Sequence, residues 1–152
     1  EKPTGLLGGT LASDGELGKL VNTPGLLPPT QAALDAGLYH YHGNASELKD
    51  AVFPRYMQAM QGAFEQTGLT SADIALYLPH QVNRALTQKV GETLGFAPER
   101  QFHNLHRHGS VAGAALLIAL AEALEERIKS GDKVALNVVG GGLTWGGLVW
   151  QF

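Results

Sequence analysis

The chain has 152 residues, of which 44% are apolar and 16% charged, enough to bury one substantial core and too ordered in composition for a disordered segment. A formal net charge of −3 without a Lys/Arg cluster argues against nucleic acid as the main partner, since phosphate binding needs concentrated positive charge. The absence of cysteine excludes disulfides, thiolate metal sites and a cysteine nucleophile supplied by this chain.

In chain order, Thr4 to Leu11 reads as a Gly- and Leu-rich strand ending in the turn Ser13-Asp14-Gly15. Gly18 to Leu38 carries Pro24, Pro28 and Pro29 and keeps neither a period of 2 nor of 3.6, so it is expected to be a long ordered loop, the kind that serves as a lid or binding loop. Leu38 to His42 alternates like a short strand before Gly43-Asn44. From Ser46 to Gly68 the residues Val52, Phe53, Tyr56, Met57, Met60 and Phe64 fall at three- and four-residue steps. That pattern predicts an amphipathic helix, core-facing rather than cofactor-binding, with a kink or restart at Pro54.

A turn at Thr70 to Asp73 leads to the strand Ile74 to Leu78, and then to a helix from about Gln81 to Leu94, stopped by Gly95 and Pro98. Gln101 to Asn104 is a short strand, and Ser110 is placed to N-cap a helix from Val111 to Lys129. The apolar run from Val111 to Leu120 is too short and too rich in Ala and Gly to span a bilayer. Lys133 to Val139 and Leu143 to Phe152 are the last strands, joined by Gly140-Gly141-Gly142. Helices alternating with short apolar strands predict an α/β fold, a mixed and mostly parallel sheet whose last two strands are antiparallel.

The carboxyl ends of such strands share one edge, which gathers three polar features: His80 with Asn83, the loop ending in Ser110, and the glycine triplet. An imidazole at a strand end can donate to a developing oxyanion or accept a proton, according to tautomer. Three glycines offer backbone N–H groups without side chains, suited to an oxyanion hole or to close approach by a thioester. Each feature alone has a plain structural explanation: a capping histidine, an N-cap serine, a tight turn. Their joint occurrence points to a site.

Leu78-Pro79-His80-Gln81-Val82-Asn83, Asn104-Leu105-His106-Arg107-His108-Gly109-Ser110 and Gly140-Gly141-Gly142-Leu143-Thr144-Trp145-Gly146, in this order and spacing, resemble the C-terminal half of ketoacyl-acyl-carrier-protein synthase III, in the thiolase superfamily. Gly5 to Gly15 also resembles the last strand of that family's N-terminal half, so the division implied is 1–17 for that strand, 18–38 for the proline-rich loop and 39–152 for the C-terminal thiolase-like domain. The resemblance implies a thiolase-like half, a five-stranded mixed sheet with helices packed on it, part of a layered αβαβα fold.

The resemblance further implies a reaction at a thioester. A cysteine in the N-terminal half takes an acyl group from coenzyme A, and a His and an Asn then promote decarboxylative condensation with a malonyl carrier protein. His80 matches the histidine, Asn83 the asparagine beside the pantetheine arm, and Gly141 the oxyanion-hole donor, with Gln81, Arg84, Gly140 and Gly142 expected around the substrate. No covalently bound cofactor is implied; acyl-coenzyme A or acyl-carrier protein is the substrate, and the complete unit is expected to be cytoplasmic and homodimeric. The sequence begins at Glu1 rather than Met and holds no cysteine, so the missing N-terminal half is expected upstream or on a companion chain.

Two positions depart from the family. The second catalytic asparagine is Ser110 here, and loss of one donor of that kind costs about 10²–10³ in rate. The basic residue expected two positions after Asn83 stands one position early, as Arg84, turned about 100° around a helix. The alternatives are therefore acyl transfer to another nucleophile, or a non-catalytic thiolase-like subunit. A third is Ser110 as a nucleophile activated by His80, opposed by the occupancy of an N-cap hydroxyl. Metal binding by His103, His106 and His108, or by His40 and His42, lacks an oriented third ligand.

Overall fold

The structure, a computed structural model, describes residues 4–43 and 45–152. The expected turn at Gly43-Asn44 falls partly outside these residues. Strands β1 (Gly5–Ser13), β4 (Leu76–Pro79), β5 (Lys133–Gly140) and β6 (Thr144–Gln151) form, among the described residues, a four-stranded sheet in the order β1-β6-β5-β4. β4 and β5 are parallel, whereas β6 runs antiparallel to both β5 and β1. The expected fifth strand, from Gln101, contributes a single parallel bridge to Tyr77, because the chain turns away at once into the helical turn α4 (Leu105–His108). β1, within the segment 1–17 that the family resemblance assigns to a preceding half, is bonded along β6 and forms an edge of this same sheet.

β4 and β5 are buried on both faces, which explains their near-continuous apolar sequences, whereas the edge strand β1 leaves Leu6 and Leu11 exposed. Alternation still sorts the side chains. Tyr77, Ala135 and Val149 pack with Val52, Tyr56 and Met60 of α2 (Ala45–Thr67) and with Leu86 and Val90 of α3 (Arg84–Thr93). Leu76, Leu78, Val134 and Leu136 face Ala119 and Ala123 of α5 (Ala114–Glu126). The apolar stripe of α2 is thus core, as its spacing predicts, and the helix runs through Pro54 without interruption.

Helix α2 approaches β6 closely. A Cβ on Gly147 would stand 2.7 Å from the Ala59 carbonyl oxygen and 3.0 Å from the Met60 amide nitrogen, so glycine there is a packing requirement. On the other side, α5 leaves Leu117 and Leu124 exposed, two turns apart on one helix face. The proline-rich segment is partly built: β2 (Val21–Asn22) pairs with β3 (His42–Gly43), and α1 (Gln31–Asp35) is N-capped by Thr30. Leu26 and Leu27 remain exposed. Among the described residues no helix is long and apolar enough to cross a membrane.

Replacing Gly147 by Ala should destabilise the fold by about 1–3 kcal/mol, because backbone rather than a flexible side-chain end blocks the added methyl. Urea denaturation of the variant beside the parent checks this; an unchanged midpoint would mean that α2 can shift without cost.

Candidate active site

Parallel pairing of β4 with β5 ends both strands at the same edge, placing His80 beside Val139. The His80 amide donates to the Asn137 carbonyl at 2.7 Å, which continues the ladder one residue past β4. The ring is 7% exposed, with Nδ1 2.8 Å from the Val139 carbonyl oxygen and Nε2 2.9 Å from that of Ala112. A neutral imidazole carries one N–H, so it donates to one of these oxygens; only the imidazolium donates to both. Behind it, Asn137 donates to the Tyr56 carbonyl and the Tyr77 hydroxyl, and burial raises both phenol pKa values.

A cavity of about 1260 Å³ opens over this edge, larger than most small-ligand pockets. His80, Asn83, Ser110, Gly140 and Gly141 all line it, so the structure brings together the strand-end motif, the loop serine and the glycine turn. Gly142, with φ +140°, needs glycine for its backbone and lies outside the lining. At Gly141 a Cβ would meet nothing nearer than 3.9 Å, from Val21. Glycine there serves access from the cavity rather than packing.

Several expectations change. Gln81 is not a ligand-facing residue: it is buried, its Nε2 donates to the Pro79 and Phe102 carbonyls, and its Oε1 accepts from the Asn104 amide. Arg84 is exposed and outside the lining, as its early position on α3 implies. The helix expected from Gln81 starts at Arg84, because the Asn83 side-chain oxygen caps it by accepting from the Leu86 amide, while Asn83 also lines the cavity. Ser110 is no N-cap. Helix α5 begins at Ala114 with Gly113 in the cap position, and the hydroxyl of Ser110 has no hydrogen-bond partner among the described residues. With Nε2 of His80 directed at Ala112, no Ser110–His80 pair is formed.

The sequence reading missed the opposite wall. Leu48, Lys49 and Val52 of α2 line the cavity, as do Leu86, Tyr41 and Trp145. No spacing distinguishes Val52 the cavity wall from Val52 the core residue, since one buried side chain touches both. Arg55 lies with its guanidinium carbon 5.4 Å from the Trp145 ring centroid and its Nη2 3.8 Å from the Asp14 carboxylate, bracing the glycine turn from α2.

The histidines of the 103–108 segment act separately. Among the described residues no group of His, Cys, Asp and Glu is placed to hold a metal ion. His108 Nε2 is 2.5 Å from Glu122, whereas His103 is half-buried, with Nε2 3.3 Å from the Gln101 side-chain oxygen. Burial, aided by the charge on Arg84, lowers the His103 pKa from 6.5 to about 4. The unfolded chain therefore binds this proton first on acidification, and stability falls as pH drops from 6.5 towards 4. His103→Gln should flatten that acid limb in denaturation midpoints measured across the window, and an unaltered slope would show that other groups set it.

Comparison with known proteins shows what the chain is similar to. Residues 64–152 match the family model for the 3-oxoacyl-[acyl-carrier-protein (ACP)] synthase III C terminal. Beta-ketoacyl-[acyl-carrier-protein] synthase III of Roseiflexus sp. (strain RS-1) is 37% identical over 154 residues, covering 98% of this chain and 46% of the relative. The enzyme of the same description from Desulfotalea psychrophila is 36% identical, covering 96% of this chain and 46% of its own. The chain spans about half the length of the curated relatives it matches. Among solved structures, the beta-ketoacyl-[acyl carrier protein] synthase III of Thermus thermophilus aligns at a TM-score of 0.87 with 30% identity, over 100% of this chain and 47% of that one. The Pseudomonas aeruginosa 3-oxoacyl-(acyl carrier protein) synthase III gives 0.87 at 24% identity, over 99% of this chain and 45% of that one, a likeness of fold.

Proposed function

The chain belongs to the family of 3-oxoacyl-[acyl-carrier-protein] synthase III C-terminal domains, and from that premise we propose that it is the histidine-bearing half of an acyl-thioester condensing enzyme or acyltransferase. The nucleophilic cysteine comes from an N-terminal half, on the same polypeptide or on a companion chain. The carrying observation is that His80, Asn83, Ser110 and Gly141 line the same cavity. The exposed Leu117 and Leu124 of α5 support a companion half, since it would cover them.

In this reading a malonyl thioester loses carbon dioxide and becomes an enolate, whose oxygen is stabilised by the Nε2–H of His80. The Ala112 carbonyl oxygen, 2.9 Å from Nε2, marks where such an acceptor sits and must be displaced by it. The enolate carbon attacks the acyl-cysteine carbonyl, the new oxyanion accepts from the Gly141 N–H, and the cysteine thiolate leaves. Asn83 offers its free amide N–H₂ to the pantetheine arm, and the apolar wall of Leu48, Val52 and Leu86 suits an acyl chain. Gln81 supports the site from behind, and Arg84 takes no part in the cavity. No covalently bound cofactor is needed, coenzyme A or carrier-protein thioesters are the substrates, and the assembled enzyme is a cytoplasmic homodimer of complete units.

Ser110 favours a second reading, a thiolase-like subunit that shapes a partner without turning over substrate. Its hydroxyl has a shorter reach than the asparagine that the family resemblance places there. In the assembled protein, His80→Ala should slow acyl transfer about 10²–10⁴-fold, followed by mass spectrometry of acyl-cysteine and product; an unchanged rate would defeat the catalytic role and favour the subunit reading. Ser110→Asn should speed decarboxylative condensation by about 10²-fold, seen as carbon dioxide release from the malonyl thioester. No gain would show that this donor does not limit the enzyme.

A further inference from the structure

The segment between Phe102 and Ala114 carries Ser110 into the cavity and the Ala112 carbonyl onto His80, although it holds only one turn of helix, α4. Gly109 has φ +69° and Ala112, a residue with a side chain, has φ +51°. Non-glycine residues enter that left-handed region at a cost, so surrounding contacts must hold the backbone there. The Ser110 hydroxyl supplies no hydrogen bond to this end among the described residues.

The holding contacts converge instead on one carboxylate of α5. Glu122 Oε2 accepts from the buried Asn104 amide at 3.0 Å and from Arg107 at 3.3 Å, while Oε1 lies 2.5 Å from His108 Nε2. Arg107 also pairs with Glu126 at 2.8 Å. The Asn104 backbone amide in turn donates to Gln81, the residue after His80. One side chain therefore ties three residues of the segment to a long helix, and through Asn104 to the strand end that bears the imidazole. Hydrogen bonds from His108 first, and from Asn104 next, lower the Glu122 pKa, in keeping with a carboxylate held by donors.

We propose that Glu122 is the positioning residue of this site: its carboxylate fixes the 104–113 segment and thereby sets Ser110 in the cavity and the Ala112 carbonyl against His80. This rests on the acyl-transfer reading for its consequence in turnover, but not for the anchoring itself. Glu122 and its hydrogen-bond partners Asn104, Arg107 and His108 all lie outside the cavity lining. Glu122 acts through the loop backbone. The groups facing it are Asn104, Arg107 and His108 from the segment, with Glu126 one helical turn along α5 and sharing Arg107.

The test uses the chain together with its cysteine-bearing half, as Glu122→Ala, Glu122→Asp and the parent. Hydrogen–deuterium exchange reads the segment directly, because the Arg107 and Gly109 amides are bonded to the Asn104 and Leu105 carbonyls. In Glu122→Ala these amides should exchange roughly tenfold faster or more, with β5 amides unchanged as proof of folding. Acylation of the cysteine should stay within about twofold while condensation slows about 10–100-fold, and Glu122→Asp should recover part of both losses. Unchanged exchange across the segment in a folded Ala variant overturns the proposal, as does faster exchange with condensation at the parent rate. A parent enzyme that never acylates its cysteine would count against the acyl-transfer reading alone, leaving the exchange comparison to decide the anchor.

Discussion

The imidazole of His80 is gripped at both nitrogens by backbone oxygens from distant parts of the chain, Val139 at the end of β5 and Ala112 in the loop before α5. This double contact ties the three polar motifs into one place. It depends on the parallel register of β4 with β5, in which Pro79 stands opposite Asn137 and the Asn137 carbonyl takes the His80 amide. A shift of that register by one residue would turn the ring to the other face of the sheet. The two-sided burial of both strands holds the register, because Leu76, Leu78, Val134 and Leu136 need one helical layer and Tyr77 and Ala135 the other.

The same contact has a chemical consequence. Two acceptor oxygens face a ring that, when neutral, has a single N–H, so one nitrogen is left short of a hydrogen bond. In the proposed reaction, with the proton on Nε2, a substrate oxygen replacing Ala112 would meet a donor already aimed and partly withdrawn from water, the preorganisation that stabilises developing negative charge. The loop is therefore both a support and a competitor for the histidine. Its backbone needs the firm attachment that Glu122 provides, because Ala112 would otherwise relax from its left-handed conformation.

Helix α2 shows how core and cavity are shared. Tyr56, Met60 and Ala63 are buried against the sheet, while Leu48, Lys49 and Val52, nearer the start of the same helix, wall the cavity. The close approach at Gly147 sets the distance between helix and sheet, and the Arg55 contact with Trp145 braces the glycine turn. Function and packing thus draw on one set of contacts at this edge.

Much of this was written in the chain. Alternating helices and short apolar strands determine the α/β class, the 3.6-residue period of α2 determines its core face, and strand-end polarity picks out His80, Asn83, Ser110 and Gly141. These are local patterns, set by the geometry of a helix or strand and readable wherever they occur. Tertiary structure decided the rest. It gave Gln81 to the backbone of its neighbours, started α5 at Ala114 rather than after Ser110, reduced the fifth strand to one bridge, and made a single carboxylate the meeting point of Asn104, Arg107 and His108. Those outcomes turn on which donor finds which acceptor across tens of residues, and no local period encodes such a pairing.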